Sequence, residues 1–232
     1  MHYKNINEGE EMKKLFAAAA VAGLVGSVNA QSAFEGAYGQ IGVGNDSNRL
    51  GSYTASASGD AVPVQSADSG SFATVIGLGY NFSISKTFLL GIGADYGVIP
   101  SSTFNAQTPT SPLKNEISNR YNIFLSPGYI INKDALVYAK AGYSSQTINI
   151  TDLTAGVTFG NTVGKGNANG YILGLGYKQM IKGGFYGFAE GNYYDYSSLT
   201  SGNKTLASGA VASNVNPKSS AYQFLVGVGY KF

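Results

Sequence analysis

The segment Phe72-Ala73-Thr74-Val75-Ile76-Gly77-Leu78-Gly79-Tyr80-Asn81-Phe82 decides the fold. Phe72, Thr74, Ile76, Leu78, Tyr80 and Phe82 fall on one parity, and Ala73, Val75, Gly77, Gly79 and Asn81 on the other. Period-two alternation marks a strand whose two faces meet different surroundings. Here one face is large and apolar and the other is small, as a transmembrane strand requires when it has lipid outside and a narrow lumen inside. The next segment repeats the pattern: Phe88, Leu90, Ile92, Ala94, Tyr96 and Val98 oppose Leu89, Gly91, Gly93, Asp95 and Gly97. So does the last, where Tyr222, Phe224, Val226, Val228, Tyr230 and Phe232 share a face.

Working outward from these gives eight strands, at about Phe34–Gly44, Phe72–Phe82, Thr87–Val98, Ser118–Ile130, Ala135–Gln146, Asn169–Lys178, Phe185–Tyr196 and Ala221–Phe232. The connections alternate between short turns near Ser83–Lys86, Ile131–Asp134 and Gln179–Gly184 and long stretches rich in Ser, Thr, Asn and Gly. The long ones are Asn45–Ser71, Ile99–Ile117, Thr147–Ala168 and Ser197–Ser220. Bacterial barrels keep short turns in the periplasm and long loops outside. The predicted fold is therefore all-β: an eight-stranded antiparallel up-and-down transmembrane β-barrel with short periplasmic turns, four long extracellular loops and both termini periplasmic.

Composition agrees. Of 232 residues 44% are hydrophobic but only 12% charged, about half the charge usual in soluble domains. The apolar residues are dispersed, and outside the N-terminus there is no run of the ~18 that a transmembrane helix needs. A net charge of +2 with scattered lysines offers no basic stripe for nucleic acid. The absence of cysteine removes disulfides, thiolate metal sites and a lipid-anchored cysteine.

Lys13 and Lys14 precede an apolar run from Leu15 to Val28, followed by Val28-Asn29-Ala30. These are the three regions of a secretory signal peptide. As a membrane helix the run would reach only about 21 Å against a ~30 Å hydrocarbon core. Cleavage is expected between Ala30 and Gln31, which makes residues 1–30 the signal peptide and 31–232 the barrel. Residues 1–11 are polar and acidic, unlike a positively charged n-region, so Met12 competes with Met1 as the initiator.

Tyr80, Tyr129, Tyr177 and Tyr230 recur at intervals of 49, 48 and 53 residues, within Gly77-Leu78-Gly79-Tyr80, Pro127-Gly128-Tyr129, Gly174-Leu175-Gly176-Tyr177 and Gly227-Val228-Gly229-Tyr230. The period is one pair of hairpins. A second set, Tyr96, Tyr143 and Tyr194, falls near the ends of the intervening strands. Two tyrosine levels are what interfacial aromatic girdles need, since a phenol pairs an apolar ring with a wet hydroxyl. Core tyrosines of a soluble sandwich are the competing reading.

With eight strands, this repeat and a C-terminal Tyr230-Lys231-Phe232, residues 31–232 resemble the small porin-like outer-membrane family that includes the opacity-type proteins and the transmembrane half of outer-membrane protein A. The resemblance implies a bacterial outer-membrane location. It also implies an assembly signal at Gly227, Tyr230 and Phe232 that the barrel-assembly machinery reads, although Leu225 stands where that signal usually begins with a polar residue. Nothing follows the last strand that would serve as the peptidoglycan-binding domain of the larger relatives.

Enzymatic chemistry has little support. The sole histidine, His2, lies ahead of the expected cleavage point, which leaves the barrel without the usual general base near neutral pH. Gly160-Asn161-Thr162-Val163-Gly164-Lys165-Gly166 is one residue too short for a phosphate loop and lacks the following Ser or Thr. Asp46, Asp60, Asp68 and Asp152 are too dispersed for a calcium loop. No catalytic residue, metal or cofactor is expected.

One constellation carries physical content. Asp95, Arg120, Lys140 and Glu190 share the inward parity of their strands, with Phe124, Tyr138, Ile172 and Phe188 as bulky inward fillers. Facing lipid, Arg or Lys would cost about 2–4 kcal/mol at the midplane. Lys140 is expected to meet Glu190 across the lumen, with Asp95 and Arg120 on neighbouring strands near the outer mouth. A static ion-paired plug, a narrow gated ion path and a small-solute site all remain open. The expected role is a non-enzymatic, monomeric scaffold embedded in outer-membrane lipid and displaying loops to an extracellular ligand or host surface. The alternative is a low-conductance porin for ions or small solutes.

Overall fold

Alternation along the chain sorts the side chains in space, and each strand's parity becomes its inner and outer face. The computed structural model describes residues 32–57, 60–64, 66–106, 112–152, 161–197, 204–205, 211–212 and 218–232. The signal peptide and its cleavage point at Ala30 and Gln31 lie outside the described residues. Eight long strands form the wall: β1 Gly36–Leu50, β2 Ala67–Ser83, β3 Phe88–Gly97, β4 Pro112–Asn132, β5 Ala135–Asp152, β6 Asn161–Lys182, β7 Phe185–Tyr196 and β8 Ser219–Lys231. Each pairs antiparallel with its neighbours in sequence. β1 pairs with β8 from Tyr38↔Lys231 to Leu50↔Ser219, so the sheet closes on itself. An up-and-down barrel leaves no open edge.

The strands outrun the sequence-based boundaries at the long-loop end. β5 and β6 stay paired to Asp152↔Asn161, and Ser101–Ala106 continues the line of β3 against β4 after a break at residues 98–100. Ser and Thr populate both faces there, so hydrophobic periodicity fades before strand pairing does. At the opposite end, β1 begins at Gly36 and not at Phe34. Gly36 has φ +115, a conformation open to glycine, and Phe34 turns inward against Leu89, Ile130 and Leu136. Asn81 Nδ2 donates to the Phe34 carbonyl at 2.8 Å, holding the aromatic ring as a stopper.

The outer surface is an apolar belt. Ile41, Ile76, Leu78, Ile92, Ile123, Leu125, Leu173, Leu175, Phe224 and Val228 are all exposed, an area far beyond what a soluble protein leaves uncovered. Tyr129, Tyr177 and Tyr230 are exposed toward the short-turn end, where Phe88 packs edge-on against Tyr129 and Phe185 against Tyr230; Tyr80 lies on the same outer parity beside Phe82. At the long-loop end Tyr96 pairs in register with Tyr121, Tyr143 with Tyr171, and Tyr193 with Tyr222. Tyr194, expected in this outer set, instead points into the lumen and is 1% exposed. It shares parity with Glu190, and its neighbour Tyr193 takes the outer place, its ring tilted against that of Tyr222 with centres 5.0 Å apart.

Candidate functional site

The lumen is filled in tiers. Glycines on the inner face make room for aromatic rings, and among the rings stand charged side chains whose only solvent is the protein. Phe124, Tyr138, Ile172 and Phe188 are all buried there, as their parity requires.

The lower polar tier is centred on Lys140 of β5. Its Nζ donates to Asp95 Oδ2 of β3 at 2.5 Å and to Glu190 Oε1 of β7 at 3.0 Å. The ammonium also lies 4.1 Å from the centre of the Phe124 ring. Asn122 Nδ2 donates to Asp95 Oδ1, while Tyr138 Oη and Asn192 Nδ2 donate to Glu190 at 2.6 and 2.7 Å. Strands β3, β5 and β7 thus each contribute one charge to a ladder across the bore. The Lys140 side chain is 1% exposed, so its charge is met by protein groups and not by bulk water.

The upper tier is centred on Arg120 of β4, and its partner is not Asp95. Arg120 donates to Asp46 Oδ2 at 2.7 Å, to Asn48 Oδ1 at 2.6 Å, and from Nε and Nη2 to Gln146 Oε1 at 3.0 Å. The guanidinium lies 4.7 Å from the Tyr194 ring centre. Four of its five N–H groups thereby reach three acceptors, and the ring supplies an aromatic face, which is how a buried arginine keeps its charge. Asp95 and Arg120 do lie on neighbouring strands, but the carboxylate that Arg120 binds is Asp46, which β1 carries into the lumen by running on as a strand to Leu50.

A backbone irregularity aims Arg120. Ile117 and Arg120 both face inward though they are three residues apart, which strict alternation forbids. The register slips between Ser118 and Tyr121, and Asn119 takes φ 52. This is a β-bulge, the usual device for re-aiming a side chain. Asn119 Oδ1 accepts the Tyr96 hydroxyl at 3.0 Å.

Below both tiers Lys178, inward on β6 and absent from the expected cluster, is held over three tyrosine rings, 3.9 Å from the centre of Tyr38, 4.8 Å from Tyr186 and 5.2 Å from Tyr138. Its parity with Ile172 was the available signal. Of the expected terminal signal residues, Gly227 lies under the Phe188 ring, while Tyr230 and Phe232 point outward.

No protein-family model matches the sequence, and no curated protein is significantly similar to it. Solved structures are similar in chain trace. Ail, the attachment invasion locus protein of Yersinia pestis, is 14% identical, with 85% of this chain and 99% of that chain covered and a TM-score of 0.45. The outer membrane protein OprG from Pseudomonas aeruginosa is 13% identical over 85% and 96% of the two chains, with a TM-score of 0.49. The outer membrane protease OmpT from Escherichia coli is 9% identical over 88% and 99%, with a TM-score of 0.48.

Proposed function

We propose that this chain is an exported, monomeric outer-membrane barrel that conducts nothing at rest and acts through the hairpins it holds above the lipid. One observation carries this reading: Lys140, at the middle of the bore, is 1% exposed between Asp95 and Glu190. An eight-stranded barrel is just wide enough for side chains to fill it, and here they do.

The wall supports the second half of the reading. β5 is 18 residues long, which at roughly 3.3 Å per residue makes about 60 Å of strand. At a tilt of about 40° it stands about 45 Å tall, against an apolar band of about 25 Å. The surplus belongs to the long-loop end, where polar residues cover both faces, and a rigid, water-exposed hairpin is suited to meeting an extracellular ligand or host surface. In this reading the signal peptide is removed after Ala30, the short turns face the periplasm, and the barrel-assembly machinery inserts the chain. The lone histidine, His2, lies ahead of the expected cleavage point, which supports a non-enzymatic role.

A low-conductance porin is the competing function, favoured by a lumen lined with charge and not hydrocarbon alone. Refolded protein in a planar bilayer separates the two. Silence under applied voltage is the expected result, and regular unitary steps would replace the scaffold by the pore.

A further inference from the structure

Charge is distributed unevenly along the barrel axis. Of the twelve basic and ten acidic residues between 31 and 232, the lumen takes three of each, Arg120, Lys140 and Lys178 against Asp46, Asp95 and Glu190. The long-loop side, at residues 49–68, 114–116, 152–165 and 195–218, takes five of each. The short-turn end keeps the remainder, Lys86, Lys133, Lys182 and Lys231 against Glu35 and Asp134. The net positive charge of the barrel therefore stands at that end alone. Each of the three short turns carries one lysine, and the acid among them, Asp134, lies 3.7 Å from Lys133. Among the described residues Lys86, Lys182 and Lys231 form no ion pair.

The same turns are apolar as well as basic. Each carries an isoleucine on the outer parity, one or two steps beyond the girdle tyrosine of its strand: Ile84 after Tyr80, Ile131 after Tyr129 and Ile181 after Tyr177. They are 65%, 53% and 69% exposed. Hydrogen bonds fix the shape of the first two turns, from Ile84 N–H to the Phe88 carbonyl at 2.9 Å and from Asp134 N–H to Asn132 Oδ1 at 2.9 Å. One exposed isoleucine is ordinary, but one in all three turns, continuous with the apolar belt, carries the lipid contact into the turns. Lys86 and Lys133 follow their isoleucines by two residues and Lys182 by one, at most about 7 Å of chain. The polar layer of a bilayer is about 5–8 Å deep on each side. Lysines tethered to isoleucines at the acyl edge therefore end among the headgroups, with their stems in the apolar layer and their ammonium groups in the polar one.

We infer that the short turns are seated in the headgroup layer and that their lysines select anionic phospholipid, ammonium to phosphate. Basic side chains near an anionic membrane surface gain an attraction that salt screens, and lysine acts as a point charge that accepts a phosphate from many directions. The long-loop side, with its charges balanced, has no such preference. Lys182 and Lys231 also line, with Asp134, Phe185 and Tyr230, a hollow of about 430 Å³ between the third turn and the end of β8, where two cations stand against one acid. The inference rests on the short turns standing at a membrane surface, and it holds for a silent scaffold and for a pore alike.

The test is the lipid selectivity of the refolded mature barrel in phosphatidylcholine vesicles. Electron spin resonance reads the motionally restricted fraction of spin-labelled phosphatidylglycerol against that of spin-labelled phosphatidylcholine. The wild type is expected to prefer phosphatidylglycerol several-fold at low salt and to lose most of that preference at high salt. Lys86→Gln, Lys133→Gln and Lys182→Gln together are expected to bring the ratio near one, while Lys165→Gln with Lys218→Gln on the long-loop side leaves it at the wild-type value. Gel mobility of the unheated protein checks that each variant is folded. Should the triple variant fail to fold, Lys182→Gln alone is expected to remove part of the preference. A ratio near one for the wild type, or a preference that the turn substitutions leave unchanged, would overturn the inference. So would cosedimentation with purified peptidoglycan that the turn substitutions abolish, in the absence of lipid selectivity, which would make the lysines a cell-wall contact.

Discussion

Lys140 on β5 reaches Glu190 on β7 past the whole width of β6, with Nζ 3.0 Å from Oε1. The contact joins residues 50 apart in sequence, and the same ammonium holds Asp95 from the other side. Lys140→Ala would leave two carboxylates facing each other without a counterion. Breaking a buried pair on one side costs about 3–5 kcal/mol, and that loss is expected in urea unfolding of the refolded barrel. Glu190→Gln, which keeps an oxygen for Tyr138, is expected to cost less. The double variant is expected to be less destabilised than the sum of the two, and strictly additive energies would show that the contact is not coupled.

The Asn119 bulge makes a second prediction. A β-branched residue at φ 52 pays on the order of 1–2 kcal/mol that glycine does not. Asn119→Gly should keep wild-type stability to within the loss of one hydrogen bond from Tyr96, and Asn119→Val should unfold at distinctly lower denaturant. Equal midpoints for the two variants would mean that the bulge is not what aims Arg120.

Tyr138 occupies the place where a side chain on Gly176 would be, since a Cβ there would overlap its ring. Gly191 on the next strand has no heavy atom near its Cβ position. Gly176→Ala is expected to displace Tyr138 from Glu190 and cost about 1–3 kcal/mol by overpacking, while Gly191→Ala leaves the barrel unchanged. The comparison is made by unfolding in the same detergent, and a harmless Gly176→Ala would show a lumen far looser than drawn.

Phe232 is 75% exposed, and its backbone N–H donates to the Ala37 carbonyl at 2.9 Å. Phe232→Ala keeps that bond. We expect it to reduce the amount of barrel assembled in cells several-fold while shifting the refolded protein's stability by less than about 1 kcal/mol. Parallel losses in both assays would make the effect one of stability, and full assembly in cells would remove the residue from the recognition signal.

The wall of the barrel was legible in the sequence because lipid outside and small residues inside impose one period on every strand, as Phe72 to Phe82 shows. The lumen was legible only in part. Parity placed Lys140 and Glu190 on the inner face, and it would have placed Tyr194 there too had Glu190 been used to set the phase of β7. Asp46 was hidden for another reason. It stands where β1 leaves the apolar belt, where polar residues on both faces erase the alternation, so the chain reads as loop while its backbone is still paired. Its bond to Arg120 crosses 74 residues and follows from a bulge, and a bulge shifts parity by a step that no period announces.

The seam between β1 and β8 sets a timetable. Every other junction in the ring joins strands that follow one another in the chain, and such hairpins can zip as soon as both arms exist. The pairing of Tyr38 with Lys231 must wait for nearly the whole polypeptide, and contacts between distant segments are the slow ones. Until that last zipper runs, β1 and β8 each present a row of bare amides that hydrocarbon cannot satisfy. The half-made cylinder is therefore the vulnerable species in the life of this protein, and its lifetime is governed by how quickly the two ends of the chain find each other.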